Sequence, residues 1–246
     1  MNKHQLYLST IDPHAASVAQ KYGLGLEIAE YCTAQNMDEQ FPAIHEKVQK
    51  TVKDCEKLVF HGPFNELFPC AIDPKARALA AQRYRQAAAL AKNYGAQKLV
   101  IHGGYHPYVY YPQWYVEQSI EFWKAFLQED PGLQIVLENV LEKEPQWLLD
   151  IVKAVDDPRL RLCMDVGHVN AYSPVPVMEW LKLWSPYLSH FHIHNNDGSW
   201  DTHSSLDQGT IPMAQLLDAA QTLCPEATFT LELVESEPSV RWLLER

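Results

Sequence analysis

Signatures of disulfide bonding, membrane spanning and phosphate-backbone binding are all missing from this chain. The five cysteines, Cys32, Cys55, Cys70, Cys163 and Cys224, are scattered, odd in number and contain no C-x-x-C pair. That spacing argues against a disulfide framework or a thiolate metal site and suits reduced thiols. No run of about 18 uninterrupted apolar residues occurs, so no membrane-spanning helix is expected. The opening residues, MNKHQLYLSTIDPH, lack the apolar segment of an export signal and read as a first strand, which favours a cytoplasmic location. Basic residues are outnumbered, 20 Lys and Arg against 31 Asp and Glu, for a formal net charge of −11. Broad attraction to nucleic-acid phosphates is disfavoured, although a local metal cluster could still hold one phosphodiester.

What the chain does contain is a repeating strand ending. The apolar runs KLVFH (57–61), KLVIH (98–102), QIVLE (134–138), RLCMD (161–165), SHFHIH (189–194) and FTLEL (229–233) each close on or near His61, His102, Glu138, Asp165, His192 or Glu232. Short buried strands alternating with helices imply parallel β-structure with crossover helices. Strands are expected near 4–9, 23–30, 57–61, 97–102, 134–139, 160–165, 187–194 and 228–234. Amphipathic helices are expected near 42–54, 74–93, 114–128, 145–155, 176–184, 212–222 and 236–245. The helix after Asp73 is the best marked, with Asp73 as N-cap, Pro74 in the first turn and Gly95 as stop.

Eight strands in 246 residues, 47% of them hydrophobic, fit one α/β domain over 1–246, a (β/α)8 TIM barrel. In such a barrel, acids and imidazoles at the carboxyl ends of the strands converge on one rim, where the loops build active sites. A doubly wound open sheet is the alternative, but six consecutive strand ends do not meet at one switch point. The irregular stretches 62–72, 103–112 and 195–210 follow candidate ligand-bearing strands and would enlarge the same rim.

A lone strand-end histidine is often no more than a rim residue, whereas coincidence across six strands is much rarer. Mixed imidazole and carboxylate ligands suit Zn, Mn, Fe or Co. Glu138, after three apolar residues, would be buried and so must be ion-paired or hold a metal. Asp165 and His168 form a D-V-G-H step in which a glycine turn is expected to swing the imidazole back toward the carboxylate. His190, His192 and His194 share one strand face; His192 is favoured as ligand, with His194 as alternate. Asp201 and His203 lie two apart in a loop, and Glu27 closes the second strand, placed to orient a ligating histidine from behind. Phe64, Tyr105, His106 and Trp200 adjoin these positions and are candidates, with His194, for contacting substrate.

These residues resemble the xylose-isomerase-like barrel superfamily, which includes endonuclease IV, ketose 3-epimerases and many sugar phosphate isomerase/epimerase proteins. The resemblance spans nearly the whole chain and is carried by H-G-P-F (61–64), L-E-N (137–139), D-V-G-H (165–168), H-I-H-N-N-D-G (192–198) and D-T-H-S-S-L-D-Q-G (201–209). It implies two ligand schemes. In an endonuclease IV-like scheme His61 and His102 would share one zinc with Glu138. Glu138 would bridge to a second on Asp165, His192 and Glu232, and His168, Asp201 and His203 would hold a third. In the epimerase scheme a single divalent ion, zinc or manganese, would sit on Glu138, Asp165, His192 and Glu232, with the two glutamates acting as acid and base through an enediolate.

The complete ligand set favours the hydrolytic, phosphoesterase scheme. Against it, EYCTAQNMDEQFP after the second strand and GPFNELFPCAID after His61 carry no Lys or Arg, so a DNA partner is not expected. The resulting expectation is a metal-dependent sugar isomerase or epimerase holding one to three ions and acting on a small carbohydrate-like substrate. The alternatives are a multinuclear phosphoesterase and an inactive sugar-binding barrel, and a homo-oligomer is compatible with the sequence.

Overall fold

The computed structural model describes residues 2–246. Its strands are β1 (Leu6–Ser9), β2 (Gly25–Ile28), β3 (Leu58–His61), β4 (Lys98–His102), β5 (Gln134–Glu138), β6 (Leu160–Asp165), β7 (Leu188–Ile193) and β8 (Thr228–Leu231). Each pairs in parallel with its sequence neighbours, and β1 also pairs with β8, Leu8 opposite Leu231, so the sheet closes into a barrel in chain order. That closing pair rules out the open sheet.

The helices are α1 (Ala15–Tyr22), α2 (Ala34–Met37), α3 (Phe41–Val52), α4 (Pro74–Tyr94), α5 (Pro112–Phe126), α6 (Pro145–Val155), α7 (Val166–Tyr172), α8 (Val177–Trp184), α9 (Met213–Leu223) and α10 (Glu237–Leu244). Proline opens α4, α5 and α6, where its fixed φ suits the helix and its missing N–H costs nothing. Asp73 caps α4 by accepting from the Lys75 N–H at 2.7 Å, and Gly95 ends it in the left-handed region at φ 78°. The short helices α1, α2 and α7 were not expected from the sequence; each is only one or two turns, too short for a periodic apolar stripe to stand out.

Alternation along the strands places the site. Val59, Val100, Val136 and Cys163 point into the barrel with Tyr7 and form an inner layer. Two residues further along the same faces come His61, His102, Glu138 and Asp165, so the polar groups stand directly above this apolar floor. Register levels them: His102 pairs with Glu138, and Asp165 with His192. The outer core, between strands and helices, contains wholly buried Trp123, Trp180 and Trp184. All five cysteines are free thiols. Among the described residues no helix is long and apolar enough to cross a membrane.

Candidate metal centre and active site

The strand ends deliver three linked groups of side chains. In the first, His61 Nε2 and His102 Nε2 each lie 3.5 Å from Glu138 Oε2. The other oxygen of the same carboxylate, Oε1, lies 3.3 Å from His192 Nδ1. That nitrogen also faces Asp165 Oδ2 at 3.8 Å and Glu232 Oε2 at 3.6 Å, which makes the second group. In the third, Asp201 Oδ2 lies 3.2 Å from His168 Nε2 and 3.0 Å from His203 Nε2. Glu138 therefore divides its two oxygens between neighbouring groups.

Local structure explains these placements. Asp165 ends β6 and caps α7, accepting from the His168 N–H at 2.7 Å. The D-V-G-H step is thus a strand-to-helix junction, and the glycine turn expected there is corrected. Gly167 is required for space, because a Cβ on it would stand 1.9 Å from His194 Cε1. His203 is held at φ 47°, a left-handed conformation unusual for a non-glycine residue and costly enough to collect at functional sites. Its Nδ1 donates to the Glu232 carbonyl at 2.7 Å, tying the third group to the end of β8.

Behind the groups stand orienting partners. Glu27 Oε1 meets His192 Nε2 at 3.0 Å, so His192 turns its other nitrogen to the centre. Asn139 bonds the Asp165 backbone at both ends, each at 3.0 Å, and its carbonyl accepts from His168 Nδ1 at 2.9 Å. Asn139 was visible in the L-E-N motif but had no role assigned to it. Asn195 and Asn196, within N-N-D-G, pin the loop that carries Asp201: Asn195 Oδ1 accepts from the Ile211 N–H at 3.1 Å and Asn196 Nδ2 donates to the Gly167 carbonyl at 2.9 Å.

Of the adjacent histidines on β7, His192 is the one facing Glu138, Asp165 and Glu232. His194 is wholly buried, stacks on His203 with centroids 4.0 Å apart, and sets Nε2 3.2 Å from both Asp165 oxygens. With Nε2 also 3.6 Å from Asp201 Oδ1, it belongs with Asp201 and His203 in the third group and does not line the cavity, which corrects its assignment as a substrate contact. Phe64 does line the cavity and stacks on His102 at 4.3 Å. Tyr105, His106 and Trp200 do not line it. Tyr105 is buried against Tyr115 and Trp147, and Trp200 stands edge-on to Tyr172 at 6.1 Å with 65% of its surface exposed. Their proximity in sequence reflects loop packing.

Crowded carboxylates set the protonation of the imidazoles. Burial opposes charge on His192, but the surrounding carboxylates, Glu232, Glu27 and Glu138 among them, hold its pKa well above the ordinary range. Burial is likewise outweighed at His168 by Asp165 and Asp201, and at His203, raised to about 9, by Asp201 and Glu232. His61 and His102 split: against burial Glu138 raises His61, whereas burial takes His102 down to about 3.

These residues fit metal ions. Among the described residues Glu138 Oε2, His192 Nδ1 and Asp201 Oδ1 are buried without a hydrogen-bond partner, although each faces ligand-type atoms. Such orphans inside a packed interior are costly unless something satisfies them. Nitrogen and oxygen donors converge from five or more elements, and the sets His61–His102–Glu138 and Glu138–Asp165–His168 each bring their donor atoms within 4.8 Å of one another. Over the groups opens a cavity of about 580 Å³ walled by apolar Ile11, Ala29, Phe64 and Val234 together with Cys32, with no Lys or Arg in its lining.

A family model described as a xylose isomerase-like TIM barrel matches residues 19–245. The chain belongs to that family. Among solved structures it is similar to a D-tagatose 3-epimerase-like protein, at 21% identity and TM-score 0.81, covering 98% of this chain and 96% of the other. It is also similar to the TTHB071 protein of Thermus thermophilus, in a structure soaked with zinc chloride, at 25% identity and TM-score 0.81, covering 98% and 97%. A curated relative, the uncharacterised protein MJ1311 of Methanocaldococcus jannaschii, is 28% identical over 187 residues, 72% of this chain. The match spans 64% of that relative's length.

Proposed function

We propose that this xylose isomerase-like barrel is a divalent-metal-dependent isomerase or epimerase of a small, uncharged sugar or sugar-like substrate. One observation carries the reading: Glu138 and Glu232, from barrel walls three strands apart, close on a single His192 nitrogen beneath a cavity with no Lys or Arg in its lining. A phosphorylated or nucleic-acid substrate would need cations that the lining does not offer. The apolar walls and clustered polar floor instead match the usual design of a small-molecule pocket.

Glu138, Asp165, His192 and Glu232 would hold the central ion, with zinc or manganese suited to that donor set. Bound there, the ion would polarise a carbonyl and its neighbouring hydroxyl and so acidify the C–H between them. Glu232, which lines the cavity, would take that proton. Glu138 would return one from the far wall, with His61 Nε2, 3.5 Å from its Oε2, as proton partner. Phe64 offers its face to a sugar ring. The likeness to a D-tagatose 3-epimerase-like protein supports the fold that this scheme requires.

The test is solvent exchange. Incubation of the metal-loaded chain with a panel of ketoses in D2O should place deuterium beside the carbonyl, and Glu232→Gln should abolish this. Absence of exchange with every ketose, together with metal-dependent cleavage of bis-p-nitrophenyl phosphate, would instead establish the second reading, a multinuclear phosphoesterase. That reading is favoured by one feature: Glu138 has imidazoles against both oxygens, and the third group, His168, Asp201 and His203, is complete. Ions in neighbouring groups bridged by one carboxylate suit in-line attack on phosphorus.

A further inference from the structure

Below the metal-binding floor the barrel interior carries a polar column where branched apolar side chains usually fill the space. Lys98, the first residue of β4, donates Nζ to Thr228 Oγ1 at 2.8 Å and to the Ser189 carbonyl at 2.5 Å. Thr228 Oγ1 lies 2.6 Å from His190 Nδ1, and His190 Nε2 lies 3.1 Å from Glu27 Oε2. Thr230 donates to that same carboxylate oxygen at 2.5 Å, while Glu27 Oε1 meets His192 Nε2 at 3.0 Å. His190, Glu27, Thr230 and His192 are wholly buried.

Donor and acceptor chemistry fixes the direction of every bond in this chain. An ammonium only donates, so the Thr228 oxygen accepts from Lys98 and turns its own proton to His190 Nδ1. An ionised carboxylate only accepts, so His190 and His192 each carry a proton on Nε2. With Nε2 committed to Glu27, Nδ1 is the nitrogen that faces Glu138, Asp165 and Glu232, and it would offer its lone pair to a metal ion once its proton is released. Burial depresses Lys98 only to about 8, so it remains charged near neutrality. Lys98 thereby supplies a half-buried positive charge on the side of Glu27 away from the cavity.

We propose that Lys98, Thr228 and His190 are positioning residues for the metal centre: their hydrogen-bonded column fixes the tautomer of His192 and with it the affinity of the floor for a divalent cation. The proposal rests on the reading of His192 as a ligand, and a separate control tests that reading.

The probe is Zn2+, titrated into metal-stripped protein in competition with a chromophoric chelator, with 15N NMR of the histidine rings in the loaded chain. Thr228→Val keeps the volume and loses the hydroxyl, Thr228→Ser keeps the hydroxyl, and Lys98→Met keeps the stem and loses the charge. Zinc affinity should fall about tenfold in Thr228→Val and Lys98→Met and return to within about twofold in Thr228→Ser. The His192 ring shifts should change in the two weakened variants, which a packing role alone would not produce. Wild-type affinity and wild-type ring shifts in Lys98→Met would overturn the proposal, whether or not Thr228→Val folds. His192→Ala is the control: full zinc affinity there would overturn the ligand reading itself, whatever the column variants do.

Discussion

Replacing Gly167 with alanine sets two opposed effects against each other. Gly167 lies in the first turn of α7, where helix propensity alone would make alanine stabilising by up to about 1 kcal/mol. The structure demands the opposite sign. The new Cβ would stand 1.9 Å from His194 Cε1, where ordinary contact begins at 3.4 Å, so the ring must retreat by about 1.5 Å. It has nowhere to go, because His194 stacks on His203 at 4.0 Å and holds Asp165 at 3.2 Å. Overpacking of this kind costs about 1–3 kcal/mol. For a chain of this size each kcal/mol lowers Tm by about 2–4 °C, so a fall of about 2–12 °C is expected. The displacement should also disturb the third group through His203 and weaken zinc binding. Thermal melts of the metal-free and zinc-loaded variant decide the matter. An unchanged or raised Tm with full zinc uptake would refute the packing argument.

Protonation gives a second prediction. His203 is raised to about 9 from an ordinary 6.5, so in the metal-free chain its contribution to stability is fully present below pH 6.5 and lost as pH rises through about 9. Because zinc in the proposed central site must displace the raised proton of His192, zinc affinity should strengthen as pH rises, and loading in weak buffer near pH 7 should release about one proton per chain from that ring, and more only if the third group also fills, read with an indicator dye. Phe64→Ala removes a ring that lines the cavity beside His102 and, for the proposed sugar substrate, should raise KM by about tenfold while leaving metal content unchanged. Equal KM values would remove Phe64 from the binding surface.

Much of the barrel and its rim could be read in the sequence, because the candidate ligand residues close short apolar runs and strand alternation then fixes their direction. His61, His102, Glu138 and Asp165 end β3 to β6 as expected. Which way the His192 and His194 rings turn could not be read from a shared face; it depends on Glu27 and Gly167, which come from elements distant in sequence. Tyr105 and Trp200 misled because adjacency to a ligand in a loop says nothing about which way a ring turns. The column under the floor was equally hidden: Lys98, Thr228 and Thr230 look like ordinary strand residues until barrel closure brings β4, β7 and β8 together around His190.

The central claim is that Glu138 is shared between metal ions or between a metal and its proton partners, and metal content per chain tests it most directly. Protein purified without chelators or an affinity metal column, assayed by inductively coupled plasma mass spectrometry, should carry at least one zinc or manganese per chain. Glu138→Gln should lose that metal together with the thermal stability it confers. If metal content and Tm were both the same in Glu138→Gln as in the parent chain, a metal centre built on Glu138 would be contradicted.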